Sequence, residues 1–389
     1  MMGRTSGSAE FSPGLVRTSA PKAILGRLPF RKMDKVLLFS ALALGAFGVL
    51  MIFSATRADN PSTYYLKRQL MFFIIAIVAM LLAASFDYRK LMPYSKIIYA
   101  VTMVLLVLVL VFPARLGSHR WIPLAFFDLQ PSEIAKVAVI LVLGTFLADR
   151  HMEIGSNKEF VQGLAIGMAA MVFVFVEPDL GSTLSIFVIS IGMLLIGGAR
   201  LKQMAVLAGG TAVVVAAAVG LKLLKAYQVA RLLVFIKPDM DPLHSGYNLV
   251  QSKIAIGSGQ LIGTGLFHGT QTNLKFIPEH HTDFIFSVVG EELGFIGGAI
   301  LLTLFGILLW RALKIAITAR DPFGTIVAVG IVVMFFFQIM VNVGMTMGIM
   351  PITGIPLPFM SYGGASLIVN FLCIGLLLNI GSRRFPQGA

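Results

Sequence analysis

The sequence predicts an all-α polytopic membrane protein: a bundle of ten transmembrane helices with a long extracytoplasmic loop between the seventh and eighth. Three observations carry that prediction. Apolar residues make up 57% of the 389 positions and charged ones 13%, with a mean hydropathy of +0.88, too little polar side chain to cover a soluble surface. Ten apolar runs approach the roughly 20 residues that cross a bilayer. The basic residues lie mostly in an N-terminal tail and in short loops between those runs, where they set orientation. The net charge of +13 is therefore no sign of a nucleic-acid partner.

Residues 1–33 are polar and basic, with Gly, Ser and Pro scattered through them and no apolar stretch before Lys35. They predict a disordered cytoplasmic tail, not a cleaved signal peptide. The first three apolar runs cover 35–55, 68–86 and 92–112. The fourth, 132–148, is short and begins with charge: Glu133 and Lys136 stand three apart and meet on one helix face as an ion pair. Lys136 could also lend its charge to an anionic headgroup. The fifth and sixth, 160–176 and 180–198, are nearly continuous around Glu177-Pro178-Asp179, and the seventh covers 202–221. A long loop, 222–283, precedes the last runs at 284–310, 323–348 and 364–381. Residues 34–384 thus form one membrane domain, followed by a cytoplasmic tail end at 385–389.

An even number of spans puts both termini on one side. That side carries 19 Lys and Arg against 12 on the other, six of which fall in the long loop, where the positive-inside rule weakens. Both tails are expected in the cytoplasm. The Glu177–Asp179 turn, the long loop and the Pro-rich stretch 349–363 then open outward, and the unusual polar chemistry collects on that face.

In FIPEHHTDFIFSVVGEELG, 276–294, a polar knot of Glu279, His280, His281, Thr282 and Asp283 runs into an apolar helix. Thr282 could cap it, with Asp283 at its first position where the helix dipole favours a carboxylate. A start at Asp283 puts Glu291 about 12 Å deeper and about 80° around, so that Glu291, more than Glu292, is expected to share a cavity with Asp283. Buried acids in a span must face protein or water. The adjacent His280–His281 pair lacks the i, i+4 spacing of a zinc-binding helix face. Arg57, Arg68, Arg115 and Arg120 cluster in the two outer loops before the fourth run, as headgroup contacts or as a pyrophosphate clamp. Trp121 follows as an interfacial anchor or a sugar platform. Glycines at 257, 259, 263, 265 and 269 allow tight turns but fit no phosphate-binding fingerprint. PITGIPLPFMSYGG, 351–364, reads as a rigid re-entrant turn, tolerable at membrane depth only when buried in protein or lining a cavity. Cys373, the one cysteine, sits in the last run as a small packing residue.

Three stretches, EPDLGSTL at 177–184, GYNLVQSKIAIGSGQLIGTGLFHGTQTNLKFIPEHHTDFIFSVVGEELG at 246–294 and MPITGIPLPFMSYGGAS at 350–366, closely resemble the SEDS (FtsW/RodA/SpoVE) family of bacterial cell-wall polymerases. The likeness extends over about 35–384. IPLPF at 355–359 and GTQ at 269–271 are similar to its elongation-type members more than to its division-type members. The resemblance implies a peptidoglycan glycosyltransferase that polymerises lipid II at the outer face of the cytoplasmic membrane, acting with a class B penicillin-binding protein and other membrane proteins of the elongation complex. It puts the family's essential acid on Asp283 and its loop tryptophan on Trp121. It also matches Arg68, Lys136, Glu177, Asp179, Gln251, Lys253, His281, Glu291 and Ser361. Chain growth needs a base and a cationic clamp for the leaving pyrophosphate, which these residues could supply. No cofactor is demanded; a metal-holding role for Asp283, with a divalent cation such as magnesium or manganese, stays open. A flippase for the same lipid, or a scaffold, are the readings from other classes. A flippase has little use for an acid in a long outer loop.

Overall fold

The computed structural model describes residues 33–57, 63–113, 120–124, 128–221, 245–274, 276–277 and 280–383. The expected tails lie outside the described residues except at Met33, and so does the first part of the long loop. In chain order the elements are α1 (Lys35–Thr56), α2 (Tyr64–Ser85), α3 (Leu91–Val109), a small antiparallel pair β1 (Ile122–Pro123) and β2 (Asp128–Leu129), α4 (Pro131–Ala148), α5 (Asn157–Val176), α6 (Leu180–Ile196), α7 (Leu201–Gly220), α8 (Ser245–Ser258), α9 (Thr270–Asn273), α10 (Ile285–Ile317), α11 (Pro322–Thr346) and α12 (Gly364–Ser382). Among the described residues nine helices are long and apolar enough to cross a membrane; α6, of 17 residues, is apolar but shorter. The protein is an all-α, multi-pass membrane protein.

The helix ends follow local chemistry. Asp34, Ser156, Asp179 and Asp321 each cap the helix that follows them, accepting from the backbone N–H of Leu37, Glu159, Ser182 and Gly324. Pro131 and Pro322 open α4 and α11, where a missing N–H costs nothing.

α4 is the axis of the bundle. Past its charged first turns it is apolar on every side, 83% of its window is buried, and it packs against α3, α5, α6, α11 and α12, as expected of a helix with no continuous polar face. α7 lies at the other extreme, with 6% of its window buried. α1 crosses close to the loop after α11: Gly48 faces the backbone of Phe359 and Met360, an approach only a residue without Cβ allows. Ion pairs join the opposite ends of the helices: Arg311 with Asp34, Arg89 with Asp321 and Arg383 with Asp87.

Three expectations change. α2 begins at Tyr64, so Arg68 lies one turn inside it and not in a loop. α10 begins at Ile285 with Phe284 as its cap residue, so Thr282 and Asp283 stand in turns before the helix. Asp283 is not a first-turn carboxylate. α10 is also broken at Gly294, whose φ of 61° and ψ of −160° only glycine adopts at low cost. The glycines at 263 and 265 make the tight turns expected of them, with φ of 82° and 99°, and those at 259 and 263 also lie against the backbone of Gly290–Glu292 at that break. They serve backbone packing.

The Pro-rich stretch is buried in protein, as its depth requires: Ile355, Leu357, Phe359 and Met360 are all at most 2% exposed. Its turn is closed by Leu357 N–H donating to Ser361 Oγ at 2.8 Å.

Candidate functional site

A cavity of about 880 Å³ opens where the N-terminal ends of α4, α6 and α12 meet α2 and the turns before α10. Its floor comes from α4. Lys136 Nζ donates to Glu133 Oε1 at 2.7 Å, and each side chain is 2% exposed. The i, i+3 spacing makes the pair, and the crowding of α4 buries it.

One wall is the Glu177–Asp179 turn with the start of α6. Asp179 works mostly as a joint: Oδ1 accepts from Ser182 N–H at 3.1 Å, while Oδ2 accepts from Ser132 Oγ at 3.2 Å and Gln130 Nε2 at 3.3 Å. α6 is thereby pinned to the start of α4. Arg120 lines the cavity and donates through Nη2 to the Pro178 carbonyl. Behind it Glu177 is fully buried, and neither of its oxygens accepts a hydrogen bond. Burial pushes its carboxyl up to about 8, Asp179 adding to the rise and Arg120 opposing it.

The opposite wall is aromatic and cationic. Arg68 Nη1 donates to the Tyr64 hydroxyl at 2.6 Å, and its guanidinium lies over the rings of Tyr64 and Phe72 at 5.5 and 5.9 Å. The rings of Tyr65, His281 and Tyr362 pack at 4.8 to 5.7 Å. Burial raises the Tyr362 hydroxyl, against the pull of Arg68. Trp121, beside β1, also faces the cavity.

Thr282 and Asp283 complete the lining. One amide holds this turn: Asn342 Nδ2 on α11 donates to the carbonyls of Asp283 and Ile355, both at 2.8 Å. Tyr362 N–H donates to the His281 carbonyl at 2.9 Å. His280 points away, its two ring nitrogens facing the Ile277 and Ala55 carbonyls at 2.6 and 2.8 Å. The knot is thus tied to α1, α11 and the Pro-rich loop together.

Of the residues singled out in the sequence, Asp283, Trp121, Arg68, Arg120, Lys136, Asp179 and His281 line the one cavity. Others do not. Arg57 stands over the Phe267 ring at 5.6 Å. Lys253 is exposed on α8 with its stem against Gly348. Glu177 lies behind the wall, and Ser361 closes its own loop. Arg115 lies outside the described residues. Glu291 does not share the cavity with Asp283: its carboxylate accepts from Gln271 N–H, Thr272 N–H and the hydroxyls of Thr270 and Thr272 at 2.7 to 3.3 Å. The late start of α10 removes the helical offset that would have aligned the two acids. Glu292 accepts from Ser54 Oγ of α1 at 2.6 Å. Among the described residues no three His, Cys, Asp or Glu side chains gather as metal ligands.

Tyr65, Tyr362, Asp128 and Gln130 line the cavity without having been singled out. Paired tyrosines one turn before Arg68 are a readable interfacial signal. Asp128 and Gln130 carry none, because only the β1–β2 pairing and the start of α4 bring them in.

Comparison with known proteins follows the same lines. A family model described as cell cycle protein, for FtsW, RodA and SpoVE, matches residues 34–384. Stage V sporulation protein E of Bacillus subtilis (strain 168) is 39% identical over 356 residues, covering 89% of this chain and 96% of its own. A probable peptidoglycan glycosyltransferase FtsW of Trichlorobacter lovleyi is 37% identical over 367 residues (92% and 95%). Peptidoglycan glycosyltransferase MrdB of Escherichia coli (strain K12) is 37% identical over 356 residues (90% and 94%). Among solved structures, a chain of a peptidoglycan synthase complex that coordinates polymerization and crosslinking superimposes with a TM-score of 0.79 at 29% identity, covering 91% of this chain and 99% of that one. The rod shape determining protein RodA of Thermus thermophilus does so with a TM-score of 0.69 at 26% identity, covering 91% and 98%.

Proposed function

The chain belongs to the FtsW/RodA/SpoVE family of cell cycle proteins, and from that premise we propose that it is a peptidoglycan glycosyltransferase polymerising lipid II into glycan strands. The observation that carries the reading is one cavity in which an acid, Asp283, shares walls with Arg68, Arg120 and Lys136, each brought by a different segment. In the reaction the 4-hydroxyl of one sugar attacks the anomeric carbon of another. A C–O bond forms there, the bond to undecaprenyl pyrophosphate breaks, and the hydroxyl proton leaves.

Asp283 accepts that proton or orients the hydroxyl. Arg68 and Arg120 offer planar donor forks to the pyrophosphate, and Lys136 deepens the positive field from below. Trp121 and the rings of Tyr65 and Tyr362 give the sugars flat apolar faces. The Pro178 carbonyl holds Arg120 and Asp179 holds the start of α4, with Glu177 buried behind them; Ser361 and His281 hold the turns, and Arg57 and Lys253 sit further out, toward lipid headgroups or a partner.

We place both termini in the cytoplasm and the cavity on the outer face of the cytoplasmic membrane, on the charge asymmetry of the loops. Residues 34–384 then form the catalytic membrane domain, with 222–283 as its outer loop, a cytoplasmic tail at 1–33 and a tail end at 385–389. The partner is a class B penicillin-binding protein, a reading supported by the likeness to a chain of a polymerization and crosslinking complex. The elongation role rests on IPLPF at 355–359 and GTQ at 269–271; a division-type polymerase is the nearest alternative, since FtsW and MrdB relatives are both 37% identical.

The test uses purified protein, with and without its transpeptidase, supplied with lipid-linked disaccharide-pentapeptide in detergent. Polymer is expected from wild type and not from Asp283→Ala. Normal polymer from a folded Asp283→Ala protein removes Asp283 from the chemistry, and none from wild type returns weight to a lipid flippase.

A further inference from the structure

Glu177 has no exposed surface, and among the described residues neither of its carboxyl oxygens finds a hydrogen-bond donor. A buried acid in that state is costly unless it is neutral or meets a charge of opposite sign. Such a charge is close by. Arg120 donates through Nη2 to the carbonyl of Pro178, the residue that follows Glu177, while its Nε–H is buried and meets no acceptor among the described residues. An orphaned donor and two orphaned acceptors thus flank the Pro178 backbone without pairing. A guanidinium carries its five N–H groups in one planar fork, and that of Arg120 also lines the cavity. Whatever it gives to Glu177 it withholds from an anion there. Burial raises the Glu177 carboxyl to about 8; Asp179, on the same turn, adds to the rise, and Arg120, from the segment before β1, opposes it. On the α4 side Ser132 and Gln130 donate to Asp179, and the Glu133 and Lys136 charges offset each other.

We propose that Glu177 is a positioning residue for Arg120: as a neutral acid it leaves the guanidinium to a pyrophosphate in the cavity, and as a carboxylate it draws the guanidinium back. Binding of the anion is then coupled to uptake of a proton from solvent at Glu177, and by reciprocity the anion binds more weakly once that proton is lost. No covalent bond to substrate is involved. That the anion is a pyrophosphate rests on the glycosyltransferase reading above, whereas the competition for Arg120 does not.

The experiment titrates the full chain in detergent with symmetrical diethyl pyrophosphate, a diester whose two negative charges do not titrate in the range used. Binding is followed by calorimetry at about pH 7 and about pH 9, each in two buffers of different ionisation heat, which gives the proton count. Wild type is expected to bind about tenfold more weakly at the higher pH, taking up about one proton per anion there and close to none at the lower one. Glu177→Gln, which fixes the neutral form, should match wild type at the lower pH, lose most of the weakening at the higher one, and take up no proton. A role in folding alone would leave the proton count unmoved. Equal weakening in wild type and Glu177→Gln overturns the proposal, as does binding by wild type that ignores pH, which leaves Arg120 in the clamp but uncoupled. Should Glu177→Gln not fold, the wild-type count at the higher pH decides, about one proton supporting the coupling and none overturning it. No binding by wild type at either pH overturns the proposal together with the clamp, and polymer formed from lipid-linked disaccharide-pentapeptide by the same preparation then shows whether the glycosyltransferase reading stands without it.

Discussion

Lys136 and Glu133 stand 2.7 Å apart with side chains 2% exposed, a setting where two demands on one residue can be separated. Removing one partner leaves a lone buried charge at about 3–5 kcal/mol, whereas replacing both by similar volumes is close to neutral. Lys136→Met and Glu133→Gln alone should therefore lower the apparent melting temperature and the yield, and the double variant should restore both. If Lys136 serves the pyrophosphate, the double variant stays inactive despite its recovered fold; normal polymerisation by it would leave the pair a structural one. Glu177 offers a pH test of the same kind. Its folded-state pKa of about 8 lies above the ordinary 4.5, so the folded protein holds a proton that the unfolded chain has released. The contribution is full below the unfolded value and is lost as pH rises through the folded one. Melting curves should show stability falling from about pH 4.5 to about pH 8, and Glu177→Gln should flatten that slope. The acid itself was visible in EPDLGSTL, but its burial was not, since nothing in an octapeptide says that Arg120 and the Pro178 carbonyl close over it.

Among the elements, α10 is the one whose form differs most from its sequence. GEELG reads as two acids in an apolar helix, yet the helix stops at Gly294 and restarts, with the freed carbonyls and amides paired to 260–265. Backbone breaks at membrane depth survive only where protein satisfies the exposed groups. Glycines at 259 and 263 let the two backbones meet. Gly294→Ala should cost about 1–3 kcal/mol from the backbone conformation alone, and more from the Cβ that would press on Gly259 and Gly263. Thermal unfolding of the purified variant measures it. A variant as stable as wild type would mean that the seam contributes nothing to the fold. The glycine run was plain in the sequence and its partner was not, because backbone-to-backbone pairing leaves no side-chain pattern.

For the molecule as a whole, orientation is the feature that the bundle's geometry leaves to chemistry. Cys373 is fully buried, which makes single-cysteine labelling clean. With an impermeant maleimide, Ile349→Cys, at a position 64% exposed, should label in intact cells. Lys158→Cys, on an exposed site at the start of α5, should label only after permeabilisation. The reverse pattern would turn the cavity inward and end the polymerase reading. The sequence by itself determined the class, the order of the apolar runs and which short stretches hold the chemistry, because hydropathy and motif are local and survive without coordinates. Only the tertiary structure decided which residues share a cavity. Asp283, Arg68, Arg120 and Lys136 meet because α4 is central and α6 is pinned to it by Asp179. Glu291 turns away to hold the loop because α10 begins two residues after Asp283. Those are facts of packing between distant segments, and no spacing along the chain encodes them.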